Sequence, residues 1–381
     1  MRLGIRISHT EFIGDVVRIA PNELVFITPE AYTGKFGDEN ESLRLLTSHH
    51  QDIYASVSQG RPCFIKSDML EMGEKYEGLA SERDVGKHRA ARKQLAPAFS
   101  QKALLAYQAR IHDFANQLIL KFEEEAAGGQ VFDIVPWFER ITTDIGGAIA
   151  LNHDLNNVRH GMFWIPKLSE RLTSALRIPL QEVPSYDADI RPRIVGKHNP
   201  ILASLLGVGK WTTIRVIFRR FPMISWLSYL FLSPKTALSY YRGYRLSTKL
   251  IEDRVRRRHE DKQPDYLGHF IGKSGTLPPK GFLVSQAAHL IFDHFESSSV
   301  LSAAFYFLTT NKQALKKLQD ELRRNFRSLD EITDDALSKL SWIHAIIEET
   351  LRCHTNVPYG LPRISPGHTI DGNFIPKGVR L

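Results

Sequence analysis

"PKGFLVSQAAHLIFDHFESSSVLSAAFYFLTT", residues 279–310, decides the fold. After Gly281 it carries neither glycine nor proline, and apolar side chains occupy nearly every angular position of a helix. A helix that is apolar all round has no face for water, so it runs through the middle of a large domain. Its centre breaks the pattern with Asp293, His294, Glu296 and the serines at 297–299. Polar groups inside a buried helix are costly unless paired. The break therefore marks a cavity or site, or else these residues face a solvated groove or cap one another. A carboxylate beside a hydroxyl can relay protons.

Working outward, most of the chain reads as further helix. "DVGKHRAARKQLAPAF" is a basic helix that ends before Pro97, because a residue preceding proline is pushed out of helical geometry. Residues 101–126 repeat apolar side chains at helical period, with Leu104, Tyr107, Ile111, Phe114, Leu118 and Phe122. Residues 133–152 form another apolar helix ending near Asn152. The stretch 153–234 is interrupted by Pro166, Pro179, Pro184, Pro192, Pro200 and Pro222. A long charged helix is expected over 235–262, and two more over 312–326 and 334–354. Strands are expected only at the two ends. "DVVRIAPNELVFI" reads as a strand pair around a turn, with Pro29 opening a short helix. "HTIDGNFIPKGVRL" reads as a hairpin turning at Asp371–Gly372. Residues 38–80 read as loops and short helices. The expectation is one mainly α domain over 1–381 with small β-sheets, with no repeat and no Gly/Ser/Pro-rich linker.

The 381 residues are 43% apolar and 24% charged, which excludes a disordered chain. The net charge of +8 suits an acidic partner. It is spread along the chain, and its densest run, "RVRRRH" at 254–259, reads as a solvated helix face. Cys63 and Cys353 are too few for a disulfide framework and show no metal-finger spacing. No window approaches the ~20 apolar residues of a membrane span; the nearest, "FPMISWLSYLFL" at 221–232, is short and carries Pro222. Motifs of serine hydrolases, phosphate loops, zinc proteases and dinucleotide-binding folds are absent. Two pairings remain. Glu349 and Arg352 stand at i, i+3, which on spacing alone is a surface salt bridge. His88 and Arg92 stand at i, i+4 on a basic helix, where an arginine can clamp a carboxylate.

In their order along the chain, these pieces resemble a cytochrome P450, a haem-thiolate monooxygenase of the fungal type. "GDVVRIAPNELVF" resembles that family's first strand pair and "HRAARKQLAPAFSQKAL" its His/Trp-x-x-x-Arg helix. "FYFLTTNKQALKKLQDELR" resembles the stretch after its central helix. "EETLR" resembles its Glu-x-x-Arg motif and "GLPRISPGHTIDGNFIPKGV" the segment that follows. The resemblance implies that Arg92 with His88 holds one haem propionate and Arg363 the other. It implies that Glu349 and Arg352 form a buried structural network, and that Glu296 and Ser297 occupy the acid–alcohol positions of oxygen activation. It implies electrons from NADPH through a reductase, an acidic protein docked on the basic face at Lys87, Arg89 and Lys93. It implies a small apolar substrate, no nucleic acid, and peripheral contact of 221–232 with the endoplasmic-reticulum membrane, or a cytoplasmic location for a chain without an anchor.

Three departures from the family pattern shape the functional expectation. The Phe-x-x-Gly-x-x-x-Cys-x-Gly loop does not occur in this sequence, and its thiolate is the lever for O–O cleavage. Asp293 and His294 stand where the family has small residues. No N-terminal anchor precedes the strand pair. The expectation is thus a P450 monooxygenase by family, tailoring secondary metabolites, whose 381 residues alone are inactive, with the Glu349–Arg352 pair left open to water. The alternative is a non-catalytic, decayed paralogue that binds a lipid-like ligand or a partner.

Overall fold

The structure is a computed structural model that describes residues 15–26, 28, 53–54, 63–68, 71, 75–129, 131–160, 214–215, 217–218, 221–260, 264–272, 277–355 and 360–381. The chain divides into two compact units. One gathers 1–74, 80–90 and 357–381; the other gathers 75–79 and 91–356.

The first unit holds the strands, and it joins the two ends of the sequence. β1 (Val16–Ala20) pairs antiparallel with β2 (Glu23–Phe26), with Val17 opposite Val25 and an irregularity between Arg18 and Ala20. β3 (Ile65–Lys66) pairs with β4 (Arg363–Ile364). β5 (His368–Ile370) and β6 (Asn373–Ile375) form the expected hairpin. Asp371 and Gly372 turn it with φ of 44° and 78°, the left-handed pair of a two-residue turn. Arg380 closes the ring: its N–H donates to Asn22 O at 2.8 Å and its carbonyl accepts from Leu24 at 2.9 Å. Ile53, Phe64, Ile370 and Ile375 form the small core beneath. The short helix expected at Pro29 and most of 38–74 lie outside the described residues.

Helices carry the rest. α1 (Val85–Leu95) stops before Pro97, and a single 3-10 turn over Ala96–Phe99 leads on. α2 (Gln101–Ala127) is capped by Ser100, whose side chain accepts from Ala103 N–H. α3 (Val135–Leu151) has proline in its first turn and ends at Asn152 in the left-handed conformation. α4 (Asn157–His160) follows, and the stretch 161–213 lies outside the described residues. Pro222–Phe231 winds as a 3-10 helix, and α5 (Pro234–Arg256) continues into a short 3-10 turn. α6 (Tyr266–Ile271) precedes the central helix α7 (Lys280–Thr310). α8 (Lys312–Asn325) completes the run towards the C-terminal helices.

The single helix expected over 334–354 is two: α9 (Asp334–Leu337), capped by Thr333, and α10 (Ser341–Cys353). The break places Leu340 in extended geometry with its side chain buried. α10 lacks a cap of its own. The Glu321 carboxylate of α8 replaces it, accepting from the N–H groups of Trp342 and Ile343 at 3.0 and 3.1 Å. A negative charge there also suits the helix dipole.

α7 packs against α3, α5, α6 and α10, and Leu283, Val284, Ala287 and Leu290 bury its first half. Gln286, fully buried, accepts from Leu79 N–H and donates to Glu77 O, tying residues 77–79 onto α7. α3 is buried along most of its length. At its end the chain doubles back so tightly that a side chain on Gly147 would meet Leu155 at 2.9 Å. Two buried acids hold the joints. Asp265 takes the Arg254 guanidinium and caps α6 through Gly268 N–H. Asp144 accepts from the N–H groups of Asn157 and Val158 and from the Asn157 amide, at 2.8–3.0 Å.

Burial pushes the Asp144 carboxyl up to about 6, against the pull of those three donors. A carboxyl whose pKa is higher folded than unfolded adds stability below its unfolded value, about 4, and loses it as pH rises through 6. Urea unfolding between pH 4 and 7 is therefore expected to show a downward slope worth about 2–3 kcal/mol. Asp144→Asn should abolish this slope while lowering stability at pH 7, because its amide turns a donor toward backbone N–H groups.

Candidate functional site

α7 sets the stage for its own polar centre. Glu296 and Ser297 are exposed, Ser298 is buried and Ser299 is half-buried. The helix therefore presents the expected acid–alcohol pair on an open face. The backbone of Asp293 and His294 is helical, and their side chains lie outside the described residues. Ser302 Oγ donates to Ser298 O at 2.8 Å. Ser299 Oγ meets Nε2 of His354, the residue that ends α10, at 2.6 Å. Ser299 stands out in the sequence only as one of the three serines that break the helix, and His354 not at all. Only the packing of α7 on α10 brings them together.

Glu349 and Arg352 do pair. Nε and Nη2 of Arg352 donate to the two carboxylate oxygens at 2.7 and 2.6 Å. The side chains are 61% and 67% exposed, so the pair is open to water in this chain, as expected, rather than enclosed in a buried network. Thr350 is the buried residue of this turn, so 349 and 352 face outward. The arginine's hydrogen bonds hold the Glu349 carboxyl at about 2. Cys353 joins the pair at the surface, its Sγ accepting from Arg352 at 3.3 Å.

On α1, His88 is half-buried and Arg92 exposed. Arg363 is the residue whose surroundings are most specific. It opens β4, and its guanidinium lies 5.0 Å from the Tyr54 ring centroid. Nη1 donates to the carbonyls of Leu361 and Pro362 at 3.1 and 3.2 Å. Burial lowers its pKa, with Tyr54 and Cys63 pulling the other way. Among the described residues no carboxylate is bonded to it. Cys63 lies close by. Burial raises its thiol pKa, while Arg363 and then Arg89 pull it down. Among the described residues its side-chain partners are thus carbonyls and an aromatic ring, and a guanidinium can bind an acid in a planar, two-pronged way.

A family model described as Cytochrome P450 matches residues 55–199 and 248–381. The chain belongs to the cytochrome P450 family. Among curated proteins it is similar to cytochrome P450 monooxygenase TwmD of Talaromyces wortmannii, 28% identical over 97% of this chain and 63% of that protein. It is also 28% identical to cytochrome P450 monooxygenase ORF11 of Penicillium roqueforti, over 97% of this chain and 67% of the relative. The chain thus spans about two thirds of the length of the curated relatives it matches. Among solved structures, the cytochrome P450DA heme domain superposes with a TM-score of 0.57 at 17% identity, covering 85% of this chain and 63% of that one. The mostly helical, P450-like fold read from the sequence is the fold observed.

The family carries haem, and the residues present fit one edge of that group. Arg363 offers a partly desolvated guanidinium to a propionate. Cys63 lies within the electrostatic reach of Arg363. Cys353 is exposed and bonded to Arg352.

The exposure of the Glu349–Arg352 pair gives a direct expectation. Exposed ion pairs contribute little and are screened by salt. Arg352→Gln in this chain should leave the melting temperature unchanged, at low salt and at 0.5 M salt alike. A loss of several degrees would mean that the pair is buried in solution.

Proposed function

We propose that this chain is the haem-associated part of a monooxygenase that oxidises a small apolar molecule, in the manner of fungal secondary-metabolite tailoring enzymes. The observation that carries this reading is Arg363, half-buried and stacked on Tyr54 with no acid bonded to it among the described residues, in a chain of the P450 family. Arg363, and His88 with Arg92, hold the propionates. Glu296 and Ser297, exposed on the open face of α7, take up and pass protons. When bound, the haem supplies the one-electron and O2 chemistry, with electrons drawn from NADPH through a reductase. Lys87, Arg89 and Lys93 are exposed on α1 and guide that acidic partner by charge complementarity.

Haemin titration of the purified chain, followed by absorbance, tests the reading. Haemin should bind, and Arg363→Gln should weaken it about tenfold, the scale of a charge-assisted hydrogen bond lost. Haemin dimethyl ester, whose propionates are blocked, should bind wild type and variant alike. No binding of haemin would favour the alternative, a non-catalytic protein that binds a lipid-like ligand or a partner.

Membrane contact is part of the same proposal. Among the described residues no helix is long and apolar enough to cross a membrane. The 3-10 helix over Pro222–Phe231 instead leaves Met223, Trp226 and Leu230 91%, 62% and 73% exposed, and Arg215, Arg219 and Arg220 precede it in sequence. Apolar side chains beside basic ones suit the boundary of an anionic bilayer, here the endoplasmic reticulum. Vesicles containing phosphatidylserine should shift the chain's tryptophan emission to the blue. Trp226→Phe should remove that shift, and Leu230→Asp should weaken binding about tenfold.

A further inference from the structure

The hydrogen bond between Ser299 and His354 lies beside the functional face of α7, and neither residue has a part in the roles assigned above. It joins two helices that are distant in sequence. His354 closes α10: its N–H donates to Thr350 O at 2.8 Å, and its ring then reaches Ser299 Oγ on α7 at 2.6 Å. Both side chains are half-buried. Whichever partner carries the proton, the short distance makes this a well-formed bond.

α7 needs an external tie at this point. Residues 297–299 are three consecutive serines, whose hydroxyls compete for backbone groups and weaken helix interiors. The Ser302 hydroxyl does so, donating to Ser298 O four residues back, a contact that tends to bend helices. At about 100° per residue, Ser299 lies roughly 60° around the helix from Glu296 and one turn above it. Ser298 faces the interior, and Glu296 and Ser297 face outward. A tether at Ser299 therefore sets the rotation of the turn that aims both of them.

The geometry points to His354 as a positioning residue: through Ser299 it fixes the register of the α7 turn that presents Glu296 and Ser297. This rests on the assignment of Glu296 and Ser297 as the proton-handling pair. The bond itself is independent of any bound group.

Native-state hydrogen exchange of the purified chain, with no haem added, reads the tie directly. His354→Leu and Ser299→Ala should each speed exchange of a peptide covering 296–302 about tenfold, the effect of one half-buried hydrogen bond lost. The double variant should be no faster than either single one, since both remove the same bond. His354→Gln, which can still donate to Ser299, should stay within about twofold of wild type. A peptide covering 281–290 should exchange as in wild type throughout. Unchanged exchange at 296–302, strict additivity in the double variant, failure of glutamine to rescue, or an equal rise at 281–290 would each overturn the proposal. Because no haem enters this measurement, its failure is distinct from a failure of haemin to bind.

Discussion

A 31-residue helix that is apolar on nearly every side must be covered on nearly every side, and the helical unit is arranged around that demand on α7. Such a helix is about 46 Å long, more than one neighbour can cover. α3 is buried because it takes a large part of this task. α5, α6 and α10 take other sides, and residues 77–79 are held against it through Gln286. The cost of burying polar groups explains why the joints between these covers are made by acids with full sets of donors. Asp144 and Asp265 each satisfy backbone N–H groups and a side chain together. Removing a partner from such a group leaves an uncompensated buried charge.

That covering stops part-way along α7. Past Ser298 the lining of α7 changes: Leu301, Phe305 and Tyr306 are partly exposed, as are Ile347 and Leu351 of α10. The same openness leaves Glu296 and Ser297 in contact with solvent. It also leaves the Glu349–Arg352 pair in water. The two features differ in energetic weight. An exposed ion pair is screened and weak, whereas Arg363 has paid part of its desolvation without gaining an acid. The carbonyls of Leu361 and Pro362 and the Tyr54 ring offset that desolvation in part, and a planar guanidinium so placed can still accept an acid.

Much of this was legible in the sequence wherever a local rule was sufficient. The span of α7 follows from its uninterrupted apolar surface. The ends of α1 and α3 follow from Pro97 and Asn152, and the last hairpin from Asp371–Gly372. Pairings made at long range left no local mark. β3 and β4 lie some 300 residues apart. The break at 338–340 was hidden because Leu340, apolar and in phase with a helix, is used as a buried extended residue instead. For Glu349 and Arg352, spacing indicates a surface salt bridge; the resemblance implies a buried network in the family and a pair left open to water in this chain, and the pair is exposed. Spacing determines who pairs within a helix; only tertiary neighbours determine whether water reaches the pair.

The same distinction explains why the candidate site was only partly readable. Glu296 and Ser297 stand out because they interrupt an otherwise apolar helix, and both turn out to be exposed. Arg363 stands out by motif, but its setting comes from Tyr54, more than 300 residues upstream, which supplies an aromatic face to its guanidinium. His354 gives no signal, since a histidine ending a helix is ordinary. Its role appears only when α7 and α10 are packed side by side. A residue that acts on its substrate must be a particular chemical type and can be found in sequence. One that aims another residue needs only reach and a donor, and so is found in the fold.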